Sequence, residues 1–219
     1  MTKRFRSIFC RAACLTLLIT LPTATGCGIG PWMAHGIAGG DKTADVKAKY
    51  RGLENQDVAV LVAADPASLA EHPRAPELVS RAVSGQIAKY VPGIGVANPG
   101  ELAAFQRRNP YWKTQRPSEL IDRLDVDRLV LIDLADYRTH EPGNAHVWQG
   151  VIAGTVSVIE ADAEDPDQAA FFDVAQVRFP EDKVLGVVDA DDETIQLGML
   201  QAFARLAGGF FYDHQITSE

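Results

Sequence analysis

An uninterrupted apolar run from Val58 to Ala64, rich in valine, constrains the fold more than any other part of this sequence. The run is too short for a typical helix, and Asp57 on one side and Asp65-Pro66 on the other bound it. Apolar residues that continue without alternation are typical of a strand that neither face exposes to water. The sequence therefore predicts a central β-strand that is buried on both faces.

The rest of the chain predicts four helices and four further strands around this one. In chain order they are a helix from Pro76 to Tyr90, a strand over 94–97, a helix after Asn98, a helix from Pro117 to Leu124, strands over 128–138, 147–159 and 171–179, and a helix from Asp191–Thr194 to Gly208. The turn residues at 141–144 indicate that the first two of the long strands form a hairpin. We predict an α/β (α+β) fold with a single mixed β-sheet, a long antiparallel hairpin and about four covering helices, in the order β-α-β-α-α-β-β-β-α.

The first 26 residues have the parts of an export signal. Lys3, Arg4 and Arg6 form a basic start, and the segment contains no acidic residue. The apolar stretch from Ala12 to Leu21 has the length of a signal-peptide core. It is shorter than the about 20 residues that a membrane-spanning helix needs. We therefore predict that residues 1–26 direct export and are then removed.

Cys27 directly follows this signal and is the predicted site of lipidation. Thr25 and Gly26 in front of it resemble the lipobox of bacterial lipoproteins. In that motif the cysteine thiol receives a diacylglyceryl group, and the signal is then cut in front of it. Ala24 stands where leucine is commonest in the motif. The alternative is an ordinary secretory signal that is cut at small residues, beside a cysteine present by chance.

Cysteine count and charge restrict the chemistry of the exported part. Cys10 and Cys14 leave with the signal, so the mature chain keeps Cys27 alone, and neither a disulfide nor a cysteine metal site can form in its domain. Removing the four basic residues of the signal from the 21 in the chain leaves 17 against 29 acidic residues, a formal net charge of −12. This balance argues against nucleic acid or anionic lipid as a partner.

The mature chain divides into a tether and a domain. Residues 27–49 are the predicted lipidated cysteine and flexible tether, because glycines punctuate this segment and no apolar period survives in it. Residues 50–219 are predicted to form a single globular envelope domain. Gly28, and not an aspartate, follows the cysteine. By analogy with proteobacterial sorting we expect attachment to the outer membrane, with the domain facing the periplasm.

Three segments resemble a group of known envelope proteins. They are the strand Val58–Val62 behind Tyr50 and Leu53, the helix Leu78–Tyr90, and the strand that opens with Val126–Val130. With the hairpin and the closing helix, they are similar to the amino-terminal domain of TolB, the curli-secretion lipoprotein CsgG and the penicillin-binding-protein activator LpoB. Pore-forming insertions like those of the curli channel are not recognisable. The resemblance implies a small mixed sheet, covered by helices, that makes protein contacts in the envelope.

The spacing of chemically active residues matches no catalytic or metal site. The histidines form neither H-x-x-H nor H-E-x-x-H, and no G-x-S-x-G is present. His140 and His146, with Glu141 beside the predicted hairpin turn, could bind a metal, but such residues are more often solvated. The acidic residues at 162–167 are interpreted as a solvated loop, and those at 189–193 as complementing a helix start. We predict no catalytic residue, no metal and no cofactor.

One segment departs from the acidic trend of the chain. Arg107, Arg108 and Arg116 lie close together, with Tyr111 and Trp112 between them and no acidic residue. Charge that is segregated against the overall sign steers partners, and large aromatic rings provide the desolvated centre that binding energy needs. These five residues are the candidate protein-binding face. The alternative is an ordinary loop whose aromatic rings anchor it in the core.

These observations favour a lipid-anchored, periplasm-facing interaction or assembly module of the bacterial cell envelope, with a protein partner and no catalysis. The alternatives are an envelope hydrolase or metal-dependent enzyme, and a lipoprotein that binds a small ligand. A pocket with convergent polar groups would favour an alternative. An exposed sheet edge or apolar patch would favour the interaction module.

Overall fold

The valine-rich run forms strand β2, and its residues from Val58 to Ala63 are all buried. This confirms the prediction of a strand enclosed on both faces. The computed structural model describes residues 42–141, 143–181, 185–186 and 190–218, and these belong to one unit that begins at Lys42. The signal, Cys27 and the predicted tether up to residue 41 lie outside the described residues.

The described residues form eight strands and five α-helices. The strands are β1 (Lys42–Val46), β2 (Asp57–Ala64), β3 (Gly95–Val96), β4 (Arg128–Glu141), β5 (Asn144–Glu160), β6 (Ala169–Phe179), β7 (Leu185–Gly186) and β8 (His214–Ser218). The helices are α1 (Pro66–Glu71), α2 (Ala75–Tyr90), α3 (Pro99–Arg108), α4 (Pro117–Leu124) and α5 (Asp192–Gly208). Two short 3-10 turns occur at Trp112–Thr114 and Gly209–Phe211. Within these ranges, no helix has both the length and the apolar character needed to cross a bilayer.

The main sheet has the strand order β3-β2-β4-β5-β6, and β7 pairs with β5 beyond the end of β6. Strands β3 and β4 run parallel to β2, whereas β5 is antiparallel to both of its neighbours, β4 and β6. The predicted mixed α+β fold is confirmed, including its long hairpin, which β4 and β5 form. All elements of the predicted order are present, and α1, β1, β7 and β8 are additional.

Two layers of helices cover the sheet unequally. On one face α2 and α5 pack across β2, β4, β5 and β6, in a core that includes Val60, Val83, Ile132, Val156 and Phe203. On the other face α3, α4 and the turn at 112–114 pack over β2, β4 and the end of β5, around Leu61, Leu102, Leu120, Leu129 and Ile159. Most of β5 and β6 therefore keeps one open face, where Phe172 and Val174 are 64 % and 58 % exposed.

The predicted boundary between tether and domain at residue 50 differs from the structure. Strand β1 (Lys42–Val46) pairs in antiparallel register with β8, near the end of the chain. The backbone amides of Lys49 and Tyr50 both donate to the carbonyl oxygen of Phe210, at 2.8 and 3.0 Å. Long-range backbone pairing, and not burial of its own side chains, fixes this segment on the domain. Its sequence therefore needs little apolar pattern. Residues 42–49 therefore belong to the folded unit.

Asp213 fastens this amino-terminal segment to the end of the chain. Its carboxylate accepts hydrogen bonds from the backbone amide of Ala48 at 2.9 Å, from Lys47 Nζ at 3.1 Å and from Arg51 Nη2 at 2.6 Å. These bonds, the one from the Ala48 amide above all, lower the pKa of Asp213 to about 2. We call this group the Asp213 clamp; it keeps its charge until the pH falls close to that value.

Helix α1 begins where the sequence only indicated the end of a strand. The Asp65 side chain accepts hydrogen bonds from the backbone amides of Ala67 and Ser68 at 2.8 and 3.1 Å, which is N-terminal capping. Pro66 occupies the first turn, where a missing N–H has no cost. The same Asp-Pro pair therefore both ends β2 and starts the next helix.

A β-bulge in the hairpin explains an irregularity of the β4 sequence. Leu134 and Tyr137 are both 1 % exposed, although residues three apart in a regular strand face opposite sides. The register shifts between Leu134 and Asp136, while β5 advances only from Gly154 to Ala153. Ala135 is therefore the extra residue, and both large side chains point into one core.

Gly154 opposite this bulge has no room for a side chain. A Cβ atom built there would lie 2.6 Å from the carbonyl oxygen of Asp133 and 3.1 Å from Cα of Leu134. We expect Gly154→Ala to lower the free energy of unfolding by about 1–3 kcal/mol, because the backbone must shift. Urea unfolding of the exported protein measures this.

Gly85 provides the matched control, because a Cβ atom added at this exposed helical position meets nothing within 4 Å. Gly85→Ala should raise the free energy of unfolding by about 0.5–1 kcal/mol. Equal stability of the two variants would contradict the close approach at the bulge.

Candidate functional site

The turn between α3 and α4 directs the two candidate aromatic side chains in opposite directions. Asn109 ends α3, and its Nδ2 donates to the carbonyl oxygen of Phe105 at 2.8 Å. The backbone amide of Trp112 then donates to the carbonyl oxygen of Asn109 at 2.9 Å. In this turn the Trp112 side chain points inward and is 9 % exposed, whereas Tyr111 is 77 % exposed.

Trp112 is a core residue, which corrects its place in the predicted binding face. Its ring packs in the cluster beneath α3 and α4 that includes Leu61, Leu102, Leu120 and Leu129. Of the two aromatic residues, Trp112 alone matches the alternative of a loop that its rings anchor in the core. Tyr111 keeps the exposure that the prediction needs, and its role in binding stays a prediction.

The basic residues of the segment differ in whether they have partners. Arg116 donates to Glu119 from Nε at 3.0 Å and from Nη2 at 2.8 Å, which raises the pKa of Arg116. The side chains of Arg107 and Arg108 are exposed and make no hydrogen bond or ion pair within the described part of the chain. The free positive charge of the segment is therefore at the end of α3.

Arg107 also lines a cavity of about 380 Å³ at the carboxyl end of β2. From β2 the chain continues through α2 to β3 on one side, and from β3 through α3 and α4 to β4 on the other. A crevice where strand order reverses in this way is a common ligand position in α/β sheets. The lining residues are Val62, Ala63, Ala64, Leu69, Pro73, Pro76, Glu77, Ala103, Gln106, Arg107, Pro110, Trp112 and Lys113. Of the predicted site residues, the structure brings Arg107 and Trp112 together here, and not Arg108, Tyr111 or Arg116.

Most polar side chains of this cavity already have a hydrogen-bond or ion-pair partner within the protein. Gln106 Nε2 donates to the carbonyl oxygen of Val62 at 2.8 Å. Glu77 pairs with Arg81 at 2.8 Å, and Lys113 pairs with Asp133 at 3.0 Å. Arg107 is the lining cation without a partner among the described residues. The cavity can therefore offer a small ligand an apolar wall and one guanidinium, and its volume lies in the range of ligand pockets.

The histidines of the predicted hairpin turn are not brought together as ligands. His140 lies opposite Trp148 in the hairpin, with ring centroids 3.9 Å apart. The backbone amide of His146 donates to the side chain of Asn144 at 3.2 Å. Across the described ranges, no group of three or more His, Cys, Asp or Glu residues could hold a metal ion.

The acidic loop before β6 has structural partners, which corrects its interpretation as simply solvated. Asp162 accepts a hydrogen bond at 2.7 Å from the buried Arg128. Asp167 accepts one at 3.0 Å from the backbone amide of Ser118, at the start of α4. Both contacts lower the pKa of the carboxyl group concerned. By contrast, Asp191 caps α5 as predicted.

Comparison with known proteins adds distant likenesses of overall fold. No protein-family model matches the chain, and no curated protein matches its sequence. It is similar to PelC, crystallised as a dodecamer, from Paraburkholderia phytofirmans, with a TM-score of 0.44 and 8 % identity over 76 % of this chain and 96 % of PelC. It is also similar to lipoprotein GNA1162 from Neisseria meningitidis, with a TM-score of 0.40 and 13 % identity over 64 % of this chain and 90 % of GNA1162. A third similar structure is XCC0632 from Xanthomonas campestris, a DUF330 protein, with a TM-score of 0.43 and 10 % identity over 73 % of this chain and 82 % of XCC0632.

The opposite orientations of the two adjacent aromatic residues lead to a direct test. Trp112→Ala removes a buried ring and should lower the free energy of unfolding by about 3–5 kcal/mol. Tyr111→Ala removes an exposed ring and should change it by about 0.5 kcal/mol or less. Chemical denaturation of both single variants measures the difference. Similar losses in the two would show that Tyr111 is also anchored in the core.

Proposed function

We propose that this chain is a lipid-anchored, periplasm-facing interaction or assembly module of the bacterial cell envelope, without catalytic activity. The observation that carries the proposal is the export signal followed by Thr25, Gly26 and Cys27. A diacylglyceryl group on this cysteine attaches the protein to a membrane surface without a spanning helix. Gly28 after the cysteine favours the outer membrane. The resemblance to TolB, CsgG and LpoB agrees with this role and stays a prediction.

The proposed contact face consists of Arg107, Arg108 and Tyr111, with Arg116 at its margin. Two unpaired guanidinium groups on an acidic protein favour an acidic patch on the partner. Tyr111 adds a large exposed ring with only two side-chain torsions, which loses little entropy on binding. Pro110 lies just after α3 and Pro117 is the first residue of α4, and both limit the freedom of the segment before it binds.

The lipid anchor leads to a prediction about processing. Cys27→Ser removes the thiol that accepts the lipid, so the variant should remain uncleaved or appear in the soluble fraction. Membrane fractionation and intact-mass measurement of wild type and variant check this. An unmodified Cys27 in the membrane-bound wild type, or a cut at another position, would contradict the anchor. Recovery in the inner membrane would contradict only the outer-membrane assignment.

The contact face is tested by affinity purification from the native envelope. A triple variant with Arg107→Ala, Arg108→Ala and Tyr111→Ala should lose a co-purifying protein that wild type retains, because both the charge and the ring are removed. Its melting temperature should stay close to that of wild type, since the three side chains are exposed.

A variant with Arg74→Ala and Arg123→Ala is the control for the loss of two exposed cations, because these residues have no ion pair within the described ranges. It should recover the same proteins as wild type. Equal recovery by the triple variant would exclude this face. Loss of a bound small molecule in place of a protein would favour the alternative of a ligand-binding lipoprotein, which the cavity beside Arg107 supports.

A further inference from the structure

A second and larger cleft, of about 1170 Å³, lies between the outer strand β6 and strand β8. Gln176 and Arg178 of β6 form one wall, and Ile216 of β8 belongs to the other. Ala202 and Leu206 of α5 lie between them. Among the described strands, β6 pairs with β5 alone and β8 with β1 alone, so the cleft separates two sheets that present strand edges.

The backbone of β6 faces this cleft with unused hydrogen-bonding groups. The amide of Val174 donates to the side chain of its neighbour Asp173 at 2.7 Å, so it points away from β5. In an antiparallel strand every second residue directs its N–H and C=O to the same edge. Gln176 and Arg178 therefore direct theirs to the free edge. No backbone partner for them is found in the described part of the chain.

Apolar and basic side chains surround this edge. Tyr90, Leu206 and Ile216 line the cleft and are 44 %, 39 % and 52 % exposed. Arg178 and Arg205 also line it and form no ion pair within the described ranges. The acidic groups of the cleft do not balance them, because Asp213 is engaged in the clamp and Glu181 alone is left. On a chain of negative net charge, the cleft thus carries a local excess of positive charge.

We propose that this cleft binds an extended, acidic segment of a partner protein, which adds to the edge of β6 as a further strand. Gln176 and Arg178 supply main-chain hydrogen bonds. Alternate side chains of the segment pack on Ala202 and Leu206, and its carboxylates pair with Arg178 and Arg205. Main-chain pairing of this kind gives affinity, and side chains give specificity. In a symmetric contact between two copies, each copy would present the same cations to the other, which disfavours a second copy as the occupant.

The inference rests on the proposed role as an interaction module and specifies how one partner binds. Its test uses the full processed chain in detergent micelles and a fluorescein-labelled ten-residue peptide of alternating valine and glutamate. Fluorescence anisotropy measures binding to wild type, to Gln176→Pro and to Gln176→Ala. The proline removes the outward N–H on an edge where proline is tolerated, whereas the alanine keeps it. We expect binding about tenfold weaker for Gln176→Pro and nearly unchanged for Gln176→Ala.

If Gln176→Pro does not fold, two modified peptides test the same contacts with the wild-type protein. Methylation of alternate peptide nitrogens should abolish binding, and replacement of glutamate by lysine should weaken it by at least about tenfold. The proposal is overturned if the methylated peptide binds as well as the parent, if the lysine peptide binds equally, or if wild type binds no peptide at about 1 mM.

Sedimentation velocity tests whether a second copy of this chain occupies the cleft. A wild-type dimer that becomes a monomer in Gln176→Pro would assign the edge to a second copy and overturn the proposal. These outcomes are separate from those of the envelope purification, since the peptide measurement requires neither the native membrane nor the face at Arg107, Arg108 and Tyr111. A failure of one experiment therefore does not imply a failure of the other.

Discussion

The burial of β2 on both faces is the constraint on which the rest of this structure depends. Its parallel neighbours β3 and β4 cannot be reached by tight turns, so the chain crosses over through α2 on one side and through α3 and α4 on the other. These crossovers cover β2 and leave a crevice at its carboxyl end. The antiparallel strands β5 and β6 join by short connections and need no such cover. The same molecule thus has an enclosed half and an open half.

The sequence predicted well what local pattern determines. The buried strand β2, helix α2 and the hairpin all follow from runs or periods within a few residues, and the structure confirms them. Strands β1 and β8 were missed because their register joins positions such as Lys42 and Ser218, and neither segment is recognisable alone. Helix α1 was missed because Asp65 caps it at a point where proline also ends a strand.

The candidate site was predicted less completely, and the reason is geometric. Composition locates the basic, aromatic segment, but it does not show which way adjacent rings turn. In the turn after α3, Trp112 packs into the core cluster and Tyr111 does not, which removes one residue from the surface. The cleft beside β6 gave no signal in the sequence, because its features are a strand edge without a partner among the described strands and two cations from separate elements, Arg178 and Arg205. In both places, guanidinium groups without a partner among the described residues mark the surfaces that we propose for partner binding on this acidic chain.

The Asp213 clamp has a mechanical consequence if Cys27 holds the protein on a membrane. Tension on the anchor would reach the folded unit at β1, which pairs with β8, and then the residues behind it, where Asp213 and the carbonyl oxygen of Phe210 resist it. These contacts lie ahead of the two that join the segment to the main sheet, which are Lys49 with Asp173 of β6 and Tyr50 with Glu160 of β5. A pull from the bilayer would therefore act first on the two-stranded sheet of β1 and β8 and on the Asp213 clamp, and on the main sheet only after them.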